Sequence, residues 1–474
     1  MAPPAVYTLR WEVGTGTGDE IVTTIETQTL TVAEIIDERP LGSYQIWTLV
    51  LCGLVLVLDG FDAQTINFLA PSIADGTGIP IRTFGPIFSA SLIGLMIAAM
   101  ATGPIADRWG RKWTVIFSTL SFAVFSILTT HATTFRELLM VRLATGLGLG
   151  GAMPNVVALA SEYAPRRILP SVVSLLFVGM PLGGVTCGLL SARMVPEWGW
   201  RSVLYLGGAL PLVISILLMV RLPESIQFLA VRGKNPQKVS RILARIAPDF
   251  AAANLRAASR DTRHEGVPVK HLFTEGRASG TILLWIPYFM NLLIIYFIGS
   301  WLPALLRESG MSVSAGVTAT AFFSLGGVFG CLVEGPLIRR RGAYVILLVE
   351  FGFAILFVAA LSEIPRAFPV MLAVTFLLGF LAIGAQAGLN ALAASYYPTA
   401  VRSTGIGWAL GVGRIGSIVG PLMGGMFLSM GWKPEQILLS GAVAAALAWL
   451  AIFLSKRIGG RLSAYSAAPD VIAH

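Results

Sequence analysis

Apolar residues run through this chain in twelve stretches, from about residue 44 to residue 456, separated by short polar turns rich in Gly, Pro and Arg. The stretches fall near 44–70, 84–105, 113–130, 136–163, 168–192, 200–222, 277–305, 314–338, 343–361, 366–396, 400–428 and 433–456. About 20 apolar residues suffice to cross a bilayer core as a helix. The pattern therefore predicts an all-α membrane protein of twelve transmembrane helices. Between the sixth and seventh lies the one long polar stretch, in which residues 236–246 read as a basic amphipathic helix. It divides the chain into a polar N-terminal tail (1–40), a six-helix bundle (41–222), an inter-domain loop (223–276), a second six-helix bundle (277–457) and a C-terminal tail (458–474). The first tail has the composition of a partly disordered segment. It lacks the basic start, short apolar core and small-residue cleavage site of a signal peptide.

Two short patterns recur between the halves. Gly103-Pro104-Ile105-Ala106-Asp107-Arg108-Trp109-Gly110 returns as Gly335-Pro336-Leu337-Ile338-Arg339-Arg340-Arg341-Gly342, and Ala158–Pro165 returns as Ala391–Pro398, at offsets of 232 and 233. Pro71, expected to close the first span, matches Pro303. Duplicated halves are a transporter signature, with the substrate site at the midplane between them.

Composition agrees: 55% of the 474 residues are hydrophobic and 12% charged, against about a quarter charged in soluble domains. The net charge of +9 is explained by topology. One side of the membrane, with both tails, holds 25 of the 34 Lys and Arg, the other holds seven, and Arg142 and Arg414 lie within spans. The positive-inside rule then makes both termini cytoplasmic and leaves no need for nucleic acid as a partner. Cys52, Cys187 and Cys331 are scattered in apolar segments, and His131, His264, His271 and His474 are dispersed. No metal set, cofactor loop or catalytic pairing is visible, so an enzyme is not expected.

The chemistry lies in the few charges inside spans. Asp59 and Asp62, in Leu58-Asp59-Gly60-Phe61-Asp62, are three residues apart and share a helical face. Intramembrane ionisable groups are costly and functional by default, so both are candidates for proton coupling. The bland alternative is a structural ion pair with Arg142. The repeat equivalent of Asp59 is Asn291, which concentrates proton chemistry in the first half. Arg142 lies one or two turns into its span, where it either snorkels or packs between helices, or takes part in proton relay or substrate contact. Arg414 is deeper, has no carboxylate in its own segment and is flanked by Gly411, Gly413 and Gly416, which admit a partner helix or a ligand. A bidentate contact with a substrate carboxylate fits it. Gln386 and Asn390, at i and i+4, can bind polar substituents or bond other helices, as can Asn155 and Asn67. Phe61, Tyr296, Trp301, Phe322 and Trp408 are candidates for an aromatic wall. Glu350 either snorkels or functions.

In the turn after the second span, Gly103, Asp107, Arg108, Gly110, Arg111 and Lys112 form GPIADRWGRK, with a gating or structural role. With this run, the repeated halves and the Asp-Gly-Phe-Asp element, the chain resembles the major facilitator superfamily. More narrowly it is similar to the aromatic acid:proton symporter family, over about residues 40–460. The resemblance includes Arg142–Gly151, Leu222–Ser225 and Tyr397–Arg402. It implies a proton-coupled symporter that imports an aromatic carboxylate, of the benzoate or hydroxybenzoate kind, by alternating access. The setting it implies is the bacterial inner membrane, with a monomer as the working unit. The competing readings are a proton antiporter exporting aromatic or drug-like compounds and, more distantly, a membrane sensor or enzyme. The second-half turn departs from the family pattern: Arg339-Arg340-Arg341 stands where an acidic residue usually precedes the arginine, which puts a gating pair at Arg340 in doubt. Glu334 is a possible substitute.

Overall fold

The computed structural model describes residues 6–15, 22–31, 36–37, 39–231, 236–246, 256–258, 269–274, 277–363, 367–398 and 401–466. Twelve helices long and apolar enough to cross a membrane make up most of it. They are α1 (Ser43–Thr77), α2 (Phe84–Trp109), α3 (Arg111–Thr129), α4 (Phe135–Tyr163), α5 (Leu169–Trp198) and α6 (Trp200–Arg221). The second six are α7 (Ala278–Glu308), α8 (Val313–Arg341), α9 (Ala343–Ser362), α10 (Phe368–Tyr396), α11 (Arg402–Ser429) and α12 (Pro434–Ser466). Three run six or more residues past the expected ends. α1 continues six residues beyond Pro71, which sits inside the helix; α5 runs on to Trp198; α12 extends into what reads as a tail. Proline removes one donor but leaves the flanking turns bonded, and a packed neighbour compensates the freed carbonyl.

Local chemistry sets several starts. Thr134 caps α4 reciprocally with Glu137, and the Ser312 hydroxyl accepts from the Ala315 N–H at 3.1 Å to begin α8. The tight turns α2–α3 and α8–α9 pivot on Gly110 (φ 99°) and Gly342 (φ 79°), a backbone region that L side chains avoid. The two positions are repeat equivalents.

Each half packs in the same pairs: α1 with α5, α2 with α4 and α3 with α6, then α7 with α11, α8 with α10 and α9 with α12. Glycine makes the closest approaches. A Cβ on Gly94 would lie 2.3 Å from the Leu143 carbonyl oxygen and one on Gly146 would lie 1.9 Å from that of Ser91. In the second half, Gly326 and Gly379 meet the carbonyls of Phe376 and Phe323 in the same way, at 1.9 and 1.8 Å. Backbone contact of this kind replaces the hydrophobic drive that lipid does not provide.

Two features lie outside the spans. The N-terminal segment pairs β1 (Val6–Thr15) with β2 (Val22–Thr31), and β1 also pairs with β3 (Arg256–Ala258) from the middle loop. The disorder expected there is corrected for these residues: the Thr and Val of both strands, with Ile25 in β2, favour extended chain. The amphipathic helix Pro236–Ile246 is present, with Val239, Leu243 and Ile246 buried in the cluster formed by Leu51, Val55 and Leu222.

Candidate functional site

The halves meet along α5 and α8, where Gly184 packs on Ser324 and Gly188 on Ala321, and in a second set of contacts at one end of the bundle. At the face away from the termini, α2 meets α11: the Ser89 hydroxyl donates to the Ile418 carbonyl at 2.8 Å, and Gly85 packs on Pro421 and Gly425. The Trp301 indole donates to the Pro421 carbonyl at 2.8 Å and meets Phe88 edge-on. The Arg307 guanidinium at the end of α7 binds Asp75 (2.6 Å) and the Pro71 carbonyl (2.9 Å) at the end of α1. Toward the terminal face these helices diverge. Gly103 lies five turns from Gly85 on the same face of α2, and Gly407 holds the same relation to Gly425 on α11. A Cβ on Gly103, Gly407 or Gly411 would meet nothing within 4 Å. The bundle is therefore closed at the opposite face and open toward the terminal one.

At the base of this opening lie the buried charges. Asp59 and Asp62 of α1 and Arg142 of α4 are all 1% exposed or less. Arg142 stands 3.5 Å from Asp62, and its Nε–H donates to the Ser91 hydroxyl of α2 at 3.0 Å. Snorkelling of Arg142 is ruled out by its burial. One Asp59 oxygen, both Asp62 oxygens and both terminal nitrogens of Arg142 have no hydrogen-bond partner, so the cluster keeps polar capacity that the protein itself does not use. Asp59 makes no ion pair among the described residues; it feels the charge of Asp62 and, from the other half, that of Arg414. Arg414 occupies the α11 stripe of Ile418, Pro421 and Gly425, one turn beyond the last contact with α2, and is half-buried. Its neighbours Gly413 and Gly416 admit α7, meeting the Tyr288 and Phe289 carbonyls, while Gly411 borders open space.

A pocket adjoins the cluster, walled by Ala63, Ile66 and Asn67 of α1, Phe88, Ser91, Leu92 and Leu95 of α2, Leu149, Met180, and Tyr296 and Ser300 of α7. Ser91 is both part of this wall and the acceptor for Arg142. In the second half, the Tyr288 hydroxyl donates to Asn390 (2.8 Å) and Asn291 donates to Gln386 (3.1 Å), joining α7 to α10. The other proposed aromatics separate. Tyr296 lines the pocket; Phe61 packs against Gly207 of α6, inside the first bundle; Trp408 is 46% exposed and stacks on Trp285, which meets Phe273. Trp301 serves the closed face. Ser91, Ser126 beside Asp62, Tyr288 and Ser300 escaped sequence reading, because a lone hydroxyl in an apolar helix carries no signal of its partner.

The GPIADRWGRK run is a turn only at Gly110: Gly103–Trp109 continue α2, with Pro104 inside the helix, which corrects the expected reversal at Gly103-Pro104. The run is tied down on the terminal face. Arg111 pairs with Glu162 at the end of α4, and Glu162 also accepts from Ser225 at 2.8 Å. The Glu224 carboxylate accepts from the backbone N–H of Lys112 (3.0 Å) and of Ser225 (2.9 Å). Burial pushes the Glu224 carboxyl up, against the opposing pull of those amides. A Cβ on Gly110 would fall 2.2 Å from Glu224. Asp107 and Arg108 are exposed. Among the described residues the second half shows no such network: Arg339, Arg340 and Arg341 are exposed, Ser395 stands where the repeat places Glu162, and Glu334 points inward to Glu350 in place of serving the turn. Glu350 is buried, which corrects the snorkelling alternative.

Two duplicated six-helix bundles closed at one face, with ionisable groups at the bottom of a central opening, define a membrane transporter. The chain belongs to the Major Facilitator Superfamily, which matches residues 52–421. It is 40% identical to a gallate transporter of Pseudomonas putida, over 89% of this chain and 94% of that one. It is 38% identical to the 4-hydroxybenzoate transporter PcaK of Pseudomonas aeruginosa, over 90% and 95%. Its fold matches the xylose transporter XylE from E. coli, in a partially occluded inward open conformation, with a TM-score of 0.67 at 15% identity, covering 87% of this chain and 98% of that one.

Proposed function

We propose that this transporter imports an aromatic carboxylate together with protons across the bacterial inner membrane, working as a monomer. The observation that carries the reading is the division of charge around the opening. Asp62 is committed to Arg142, Asp59 is buried beside them without an ion pair among the described residues, and Arg414, half-buried on α11 of the other half, acts on Asp59 through its charge. The relatives named for gallate and 4-hydroxybenzoate supply the substrate class. A flat ring suits the apolar wall of Phe88, Leu92, Leu95 and Leu149, ring hydroxyls suit Asn67, Tyr296 and Ser300, and a carboxylate suits the Arg414 fork.

The excess of basic residues on the terminal face makes that face cytoplasmic, so the opening described above is the inward-open state. In the outward-open state, Asp59 takes a proton and Arg414 captures the anion. Neutralising both charges lowers the cost of closing the cavity away from water. The halves then rock inward, where substrate leaves and Asp59 releases its proton to the cytoplasm. Asp62, held by Arg142, sets the field in which Asp59 works.

Uptake of labelled 4-hydroxybenzoate into proteoliposomes tests this. It should rise as external pH falls and collapse with a protonophore, and Asp59→Asn should abolish accumulation while substrate exchange survives, because Asn keeps the shape but carries no proton. Uptake driven by a sodium gradient and indifferent to pH would sink the reading.

A further inference from the structure

The second half buries two carboxylates that this cycle does not use. Glu334 of α8 and Glu350 of α9 are 1% and 4% exposed. Each lies eight residues from the Gly342 turn, so in the antiparallel α8–α9 pair they stand at one level, about 12 Å below that turn. Their carboxyl groups face each other. Glu334 Oε1 and both Glu350 oxygens accept no hydrogen bond from the surrounding protein. The space is cleared by α10: a Cβ on Gly388 would fall 2.5 Å from Glu334 Oε1, and one on Gly384 would fall 3.5 Å from Glu350 Oε1. The other titratable neighbour is Cys331, one turn before Glu334 on α8. Among the described residues, no Lys, Arg or His forms an ion pair with either carboxylate.

Two carboxylates in contact, buried and without a cation, cannot both stay ionised: desolvation and mutual repulsion act together. One proton resolves the conflict, since a carboxylic acid donates its O–H to the neighbouring carboxylate. We propose that Glu334 and Glu350 form a second proton-binding site, in the C-terminal half, which binds one proton between the two carboxyl groups and releases it toward the terminal face. The exposed backbone of Gly335, next to Glu334, borders open space on that side. Loss of the proton leaves two like charges against the bare backbone of Gly384 and Gly388, and α10 also carries Gln386 and Asn390. The site thus links protonation to the position of α10. It extends the proton-coupled reading to the second half, but its test needs no substrate and can succeed or fail independently.

The measurement is infrared difference spectroscopy of the full-length protein in lipid, titrated with acid and base, on the carbonyl stretch of protonated carboxyl groups. In the Asp59→Asn/Asp62→Asn background, a titrating carboxyl band should remain; Glu334→Gln/Glu350→Gln in the same background should lose it, and each single Gln substitution should change its titration. The parent protein compared with Glu350→Gln alone gives the same reading if the quadruple variant does not fold. A band that is absent at every pH, that persists unchanged in the glutamine variants, or that never titrates would overturn the proposal.

Discussion

At the scale of single residues, the two intramembrane arginines are not equivalent. Arg142 is completely buried, 3.5 Å from Asp62 and bonded to Ser91, so its environment is a fixed part of the first half. Arg414 has no carboxylate within ion-pairing distance among the described residues and stands at the edge of the opening. Each charge-assisted hydrogen bond to a bound carboxylate contributes about 1.5–3 kcal/mol, and every 1.4 kcal/mol is about tenfold in affinity. Arg414→Ala should therefore weaken binding of 4-hydroxybenzoate to the purified protein by about tenfold or more. Arg414→Lys should recover only part of this, because an ammonium does not reproduce the planar fork. The neutral amide of the same acid should be bound equally by parent and variant. Equal affinity of Arg414→Ala and parent for the acid would move the anion site to Arg142, with Arg414 left as a gate.

At the scale of helices, glycine contacts repeat between the halves with the offset seen in the sequence motifs: Gly94 with Gly326 and Gly146 with Gly379. They hold α2 on α4 and α8 on α10 by backbone contact. Gly146→Ala or Gly379→Ala forces these helices apart, at a cost of about 1–3 kcal/mol by the usual penalty for overpacking. Lower melting temperatures of the detergent-purified variants would register it. Gly407→Ala, whose added methyl meets nothing within 4 Å, should leave the melting temperature unchanged or raised. Helix number, order and most boundaries were legible because a span is a local property, about 20 apolar residues long. So were Asp59, Asp62 and Arg142, since charge within a span stands out from the sequence alone. Partners were not legible. Whether Phe61 faces a pocket or Gly207, whether Glu350 reaches water or Glu334, and whether Trp408 lies with Tyr296 or with Trp285 all depend on helix rotation and on which helices meet. The strands escaped for a different reason: a polar segment rich in Thr has the same composition whether it is paired or free, and pairing with residues 256–258 is not local.

At the scale of the whole molecule, the transport cycle requires the closed face to open, and its chemistry says how strongly that face is held. Most of the contact is apolar or backbone-mediated, through Gly85, Phe88, Trp301, Pro421 and Gly425. The one ion pair between the halves there, among the described residues, joins Arg307 and Asp75, with a second bond to the Pro71 carbonyl. Asp75 is 56% and Arg307 37% exposed, so the pair is in the class worth about 0.2–1 kcal/mol. That bounds its effect: removing it should shift the balance between closed and open forms of this face by about fivefold at most. It acts as a bias on the equilibrium and not as a lock. Asp75→Asn should raise the rate at which a cysteine placed at Ser300, in the pocket wall, is labelled by an impermeant thiol reagent from the face away from the termini. Transport should persist in Asp75→Asn, because the apolar contacts remain. The charge-exchanged pair Asp75→Arg/Arg307→Asp should return labelling toward the parent rate, whereas either exchange alone places like charges together and should open the face further. High salt should raise labelling of the parent but not of Asp75→Asn, since only an exposed ion pair is screened. If labelling of Asp75→Asn matched the parent at low salt, the pair would be a surface decoration and the closed face would rest on Trp301, Phe88 and the glycine contacts alone.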